Sequence, residues 1–122
     1  MNIKGIGTDI LEINRFERVY RRWGNKFLNK IFNDIEVLNF SSKKKFLENL
    51  AGKFAAKEAI SKAYGTGIGS SLSFKDITIK KDSLGKPWVY LKKNSEKERI
   101  HISISHSSNH AIAFAILEGL EW

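Results

Sequence analysis

The sequence predicts an α+β fold in which helices pack on one face of a largely antiparallel sheet, within a single domain spanning residues 1–122. Three observations predict it. A glycine-punctuated strand pattern opens the chain, the strongest helix-forming run lies in its middle, and short alternating segments joined by turn signals fill its last third. Strand, helices, then a run of strands is the order expected when helices are segregated to one side of an antiparallel sheet. A chain of 122 residues with 42% hydrophobic content is long enough to bury one core and too short to divide comfortably into two.

Residues 3–10 alternate small or apolar residues around Gly5 and Gly7, which predicts a strand that runs close to another backbone and ends near Asp9. From Ile13 onward Ile13, Phe16, Tyr20, Trp23 and Phe27 recur at helical spacing, giving an amphipathic helix broken around Gly24 with Arg15, Arg18 and Arg22 on its solvent stripe. A second helical region is expected over residues 33–40, after which Ser41 and Ser42 are candidate caps for the next helix. That helix, residues 47–64, is rich in Ala, Lys, Glu and Leu and stops at Gly65, where a left-handed residue ends helices. The glycine-rich run of residues 65–69 is then a loop.

Residues 74–80 and 87–91 form a predicted hairpin across the turn signal at residues 82–87. Residues 92–99 are a polar, exposed loop. Residues 100–105 alternate Ile100, Ile102 and Ile104 with His101, Ser103 and Ser105, a half-buried strand that delivers His106 to its end. Residues 110–117 are apolar on both faces, the signature of a central strand, paired with the preceding one through Ser107, Ser108 and Asn109.

The net charge of +8, from 21 Lys and Arg against 13 Asp and Glu, favours polyanionic or acidic partners: nucleic acid, phosphorylated cofactors or acidic proteins. The absence of Cys excludes disulfides, thiolate metal sites and Cys nucleophiles, and is compatible with a reducing cytoplasm. Residues 1–13 mix Lys4, Asp9 and Glu12 with apolar residues, unlike a signal peptide, and no window has the apolar length of a membrane span. A cytoplasmic protein without a membrane segment is expected.

Asp9 at a strand exit and Glu58 within a helix are ordinary when taken singly, as a turn residue and as an i,i+4 partner of Lys62. Their surroundings carry the chemistry. Lys53, Lys57 and Lys62 lie on the same helix as Glu58, and a glycine-rich loop follows it. Carboxylates beside ammonium groups suit a metal-bound pyrophosphate, because Mg²⁺ takes one or two carboxylates together with phosphates and water. The glycine run is neither a P-loop, since no Gly-Lys-Ser/Thr follows, nor a dinucleotide fingerprint. The three histidines, His101, His106 and His110, have no zincin spacing and no Cys beside them, which argues against zinc. His106, at a strand end between Ser105 and Ser107, is placed to hydrogen-bond a phosphate or ribose, or to serve as a structural hairpin residue.

Taken together, GIGTDI, LAGKFAAKEAISKAYGTGIG, LSFKDITI, GKPWV and HISISHS, in this order and across nearly the whole chain, resemble the holo-(acyl-carrier-protein) synthases of the phosphopantetheinyl transferase superfamily. The resemblance implies that fold and a Mg²⁺-dependent transfer: the serine hydroxyl of apo acyl carrier protein attacks the β-phosphate of coenzyme A and releases adenosine 3′,5′-bisphosphate, in support of fatty acid biosynthesis. It implies that Asp9 and Glu58 hold Mg²⁺, with Lys62 close to the same phosphates. Lys44, Lys53 and His106 become candidates for the 3′-phosphate and neighbouring groups of coenzyme A, Lys57 joins them as a cofactor-binding lysine, and Gly65, Thr66 and Gly67 pass along the cofactor. Many relatives carry Arg at the position of Lys53, and Lys lacks the bidentate fork of Arg. For the general base, water on the metal, Asp9 and Glu58 all stand.

The resemblance also gives the arginine stripe a partner, since acyl carrier proteins are acidic and Arg15, Arg18 and Arg22 offer complementary charge. It implies a homotrimer with active sites between subunits. The rival reading is a basic nucleic-acid-binding module, with lysines on phosphates and Trp23 or Trp88 stacked on bases. A third is an enzyme-like fold kept only for assembly. Against the rival, a binding module gains little from acids placed among its phosphate-binding lysines.

Overall fold

In the computed structural model, which describes residues 2–93 and 96–120, strand β1 (Asn2–Glu12) leads directly into helix α1 (Ile13–Trp23), and α2 (Asn25–Ile31) follows. Gly24 separates the two helices with φ of 58°, a left-handed value that glycine adopts without steric strain. The long helix α3 (Lys43–Ala63) comes next, then β2 (Ile77–Lys81), β3 (Pro87–Leu91), β4 (Glu98–His106) and β5 (His110–Gly119). Residues 94 and 95 of the predicted polar loop lie outside the described residues, as do Met1, Glu121 and Trp122.

The main sheet has the order β1-β5-β4, all antiparallel, with β5 central as its two-sided apolarity predicts. The β2–β3 hairpin forms a separate two-stranded sheet beside β4 and α3. Helix α3 covers one face of the main sheet. Ala55, Ala56, Ala59 and Ile60 on the helix pack with Ala113, Ala115 and Leu117 of β5 and with Ile77 and Ile79 of the hairpin. Small residues on both sides let helix and sheet backbones approach closely. At Gly5 and Gly7 the approach is closest: a Cβ there would overlap the carbonyl oxygens of Ala63 and Ala59.

A second core cluster joins α1, α2 and the first half of α3 through Phe16, Leu28, Ile31, Phe32, Leu47 and Leu50. Full burial of a side chain of this size contributes about 1.5–3 kcal/mol, so these contacts fix the helices against α3.

Several boundaries differ from the sequence reading: β1 runs past Asp9 to Glu12, so Asp9 lies within the strand and not at its exit, and β4 begins at Glu98, inside the expected loop. The helix expected over residues 33–40 is only a 3₁₀ turn, Asp34–Glu36, because Glu36 turns into the core. Its Oε1 accepts from Lys57 Nζ and from the Asn33 backbone N–H, and its Oε2 from the Ile79 N–H. Helix α3 begins four residues earlier than the apolar pattern suggests, since Ser42 caps it by accepting from the Lys45 N–H at 3.2 Å. Strand β2 begins later, because Ser73 and Asp76 close a capping box around the turn Phe74–Asp76. Among the described residues no helix is long and apolar enough to cross a membrane.

Candidate active site

Alternation along β1 turns Gly5, Gly7 and Asp9 toward α3, and the closeness that the glycines permit brings Asp9 to the helix flank. Lys62 meets it there. Its Nζ lies 3.1 Å from Asp9 Oδ1 and donates to the Thr8 carbonyl at 3.0 Å. The Lys62 side chain is about half exposed and that of Asp9 largely covered, at 52% and 17%, so the pair faces solvent on one side.

Glu58 stands one helical turn before Lys62, on the same flank. Burial pushes its carboxyl above the ordinary range, and the negative charge of Asp9 adds to that push, while Lys62 opposes both. Two acids from distant parts of the chain therefore feel each other's charge beside one ammonium group. Among the described residues no group of three or more His, Cys, Asp or Glu gathers. Two carboxylates and a lysine make up the cluster.

Just beyond, α3 ends in the glycine loop. Gly65 and Gly67 both adopt positive φ, 78° and 65°, and their N–H groups return to the carbonyls of Lys62 and Ser61. Thr66 is exposed, and its Oγ1 donates to the Gly67 carbonyl.

Lys53 and Lys57, expected among the phosphate-binding groups, are corrected by the structure. They are buried, 2% and 0% exposed, on the side of α3 that faces the 3₁₀ turn and the hairpin. Lys57 Nζ donates to the carbonyls of Ile31 and Phe74 and to Glu36 Oε1, at 2.7, 3.0 and 2.7 Å. All three of its protons are used. Lys53 Nζ donates to the Glu36 carbonyl at 2.7 Å. Burial lowers both amines, Lys53 to about 8, with Glu36 opposing in each case. These lysines tie α3 to the segment before it; Lys57 has no N–H left for a ligand, and Lys53 is buried beside it.

His106 ends β4 as expected, yet it lies near the N-terminal half of α3. Its Nδ1 is 3.4 Å from Glu48 Oε2. Both line a cavity of about 210 Å³ with Lys45, Asn49 and Lys81. Glu48 and Glu58 are ten residues apart on α3, roughly 15 Å along the axis, so one chain carries two clusters, not one. Glu48, Asn49 and Lys81 escape sequence reasoning because no spacing links a helix, a hairpin end and a strand end. Lys44 is exposed in the first turn of α3, and Arg15, Arg18 and Arg22 are exposed along α1. A larger cleft of about 630 Å³ opens between β3 and β4, lined by Trp88, Tyr90 and Tyr64 but by none of the acid cluster.

A family model described as the 4′-phosphopantetheinyl transferase superfamily matches residues 5–115. The chain belongs to this superfamily. Within it, the chain is 48% identical over 120 residues to a holo-[acyl-carrier-protein] synthase of Anoxybacillus flavithermus, covering 97% of this chain and 98% of that one. Among solved structures of the superfamily, the holo-(acyl-carrier-protein) synthase of Bacillus anthracis in complex with CoA (3′,5′-ADP) is 43% identical, with a TM-score of 0.82 over 96% of this chain and 97% of that one. The Helicobacter pylori enzyme in complex with coenzyme A is 36% identical, with a TM-score of 0.81 over 93% and 99%. The transferase fold is thus the α+β arrangement expected from the sequence.

Proposed function

We propose that this chain is a Mg²⁺-dependent holo-(acyl-carrier-protein) synthase, which moves the 4′-phosphopantetheine group from coenzyme A to a serine of apo acyl carrier protein, for fatty acid biosynthesis in the cytoplasm. The serine oxygen attacks the β-phosphorus and loses its proton. The bond to the α-phosphate oxygen breaks, and adenosine 3′,5′-bisphosphate leaves. The observation that carries this reading is the meeting of Asp9 and Glu58 beside Lys62.

The residues fit the metal. Asp9 and Glu58 offer hard carboxylate oxygens with no nitrogen or sulfur ligand, and two acids leave room for the water and phosphate ligands that Mg²⁺ prefers. When bound, the cation supplies neutralisation of the charge that develops on the phosphoryl oxygens. Lys62, half exposed beside Asp9, adds a second positive charge to the same region and holds Asp9 in place. Gly65, Thr66 and Gly67 border the cofactor, in a loop whose two glycines adopt positive φ.

For the nucleotide end, Lys44, Lys45, Lys81 and His106 take the 3′-phosphate, with Glu48 orienting the imidazole. The exposed Arg15, Arg18 and Arg22 receive the acidic carrier protein. A homotrimer with active sites between subunits agrees with two features. The two clusters of one chain stand at opposite halves of α3, and the sheet face away from α3 exposes Ile6, Ile10, Ile112 and Phe114, an apolar patch of the kind that marks an interface.

Purified chain mixed with apo-carrier protein, coenzyme A and Mg²⁺ is expected to add the mass of phosphopantetheine to the carrier, and EDTA to prevent it. An unchanged carrier mass by mass spectrometry overturns the reading.

A further inference from the structure

The cavity beside His106 contains an atom that the proposed phosphate contacts leave unexplained. Asn49 lines this cavity, and its Oδ1 is buried without a hydrogen-bond partner among the described residues. A buried acceptor left unpaired is destabilising, and native interiors rarely retain one. Every other polar side chain named on the cavity wall has a plain electrostatic role. Lys45 and Lys81 bring two exposed ammonium groups, and Glu48 holds the imidazole of His106 at 3.4 Å.

The wall therefore asks for two different things. Two ammonium groups and an imidazole suit a phosphate monoester, which only accepts hydrogen bonds when fully ionised. An amide oxygen only accepts as well, so it needs a donor. A ligand that presents an anion and a hydroxyl or amine side by side satisfies both. At about 210 Å³ the cavity is smaller than the roughly 300–1,000 Å³ clefts that enclose whole drug-sized ligands, so it takes a fragment of its ligand. The floor is tightly packed: a Cβ on Gly52 would lie 2.9 Å from Ile104 Cγ2, which sets α3 and β4 at a fixed, close spacing beneath the ligand.

In a ribose 3′-phosphate the 2′-hydroxyl sits on the carbon next to the phosphate, which supplies anion and donor together. We propose that Asn49 Oδ1 accepts a hydrogen bond from the ribose 2′-hydroxyl of the nucleotide bound among Lys45, Lys81 and His106, and so selects a ribonucleotide over its 2′-deoxy counterpart. The proposal rests on the transferase reading and adds to it a specificity-determining residue.

The test is titration calorimetry with adenosine 3′,5′-bisphosphate and 2′-deoxyadenosine 3′,5′-bisphosphate, on the wild-type chain and on Asn49→Ala. The wild type is expected to bind the deoxy compound about tenfold more weakly, the scale of one neutral hydrogen bond. Asn49→Ala is expected to weaken the ribo compound by a similar factor and to bind the two compounds alike. Equal binding of both by the wild type overturns the proposal, and this comparison stands even if the variant fails to fold. A folded variant that still discriminates also overturns it. Carrier modification by the same wild-type preparation, read by mass spectrometry, separates the two levels: transfer without discrimination sinks Asn49 alone, whereas no transfer and no nucleotide binding sinks the transferase reading with it.

Discussion

Glu58 is where the electrostatics of the candidate site can be tested most directly. Burial and Asp9 raise its pKa, and Lys62 opposes them. A carboxyl raised in the folded state adds stability below the ordinary carboxylate range, and that stability is lost as pH rises through the raised value. Near neutral pH the metal-free protein therefore carries the cost of a partly buried charge and of its repulsion by Asp9, which Glu58→Gln relieves, and its Tm is expected to rise by a few degrees. The same substitution removes one of the two proposed metal ligands. Mg²⁺ is expected to raise the Tm of the wild type but not of the variant, and carrier modification to fall by about 10²–10³-fold, typical of losing one charge-stabilising group. Lys62→Met works in the other direction: without its ammonium group Glu58 titrates higher still, so the acid limb of the kcat/KM profile moves to higher pH. An unmoved limb contradicts the coupling. Asp9, Glu58 and Lys62 were singled out from the motifs that hold them, and the structure sets Lys62 against Asp9 with Glu58 within reach of both charges. Lys53 and Lys57 were misread because the face a buried lysine takes depends on its acceptor, here Glu36, which no helical spacing points to.

At the scale of elements, the site depends on β1 lying almost against the backbone of α3. Gly7 faces the Ala59 carbonyl with no room for a Cβ. Gly7→Ala must push strand and helix apart, at about 1–3 kcal/mol or more for overpacking, and it separates Asp9 from Glu58. A chemical melt should show the lost stability, with carrier modification falling further than the stability loss accounts for. Lys57→Met tests the opposite side of α3. It leaves Glu36 buried without its ion-pair partner, at about 3–5 kcal/mol, seen as an earlier urea midpoint, and no loss there would mean that the pair does not hold the turn to the helix. The strand and helix content was legible wherever one signal dominated: period two in residues 100–105, two-sided apolarity in residues 110–117, helical spacing in α1, the turn signal of the hairpin. It failed over residues 33–40, where Glu36 bonds Lys57 and the Ile79 N–H across the fold and overrides local propensity. Gly5 and Gly7 announced a close backbone approach, and α3 is the backbone they approach.

For the whole molecule, the sheet face away from α3 decides whether one chain suffices. Strand β5 was read as apolar on both faces, and α3 covers only its alanine side; Ile112 and Phe114 on the other side remain 46% and 39% exposed, next to Ile6 and Ile10 of β1. Such a row of β-branched and aromatic side chains is explained if copies of the chain pack on it. Sedimentation is expected to find the wild type at three times the chain mass. Phe114→Lys, which alters no residue of the acid cluster or the His106 cavity, is expected to give a folded monomer with carrier modification reduced at least tenfold, because a charge at an apolar interface opposes association. If sites are shared between copies, two variants that are each impaired, Glu58→Gln and His106→Ala, should regain activity when unfolded together and refolded as mixed assemblies, since some interfaces then pair an intact Glu58 with an intact His106. Refolding each alone should restore nothing. Recovery requires that the two residues act from different chains, while its absence, with mixed trimers present, would place a complete site within a single chain and require coenzyme A to span α3.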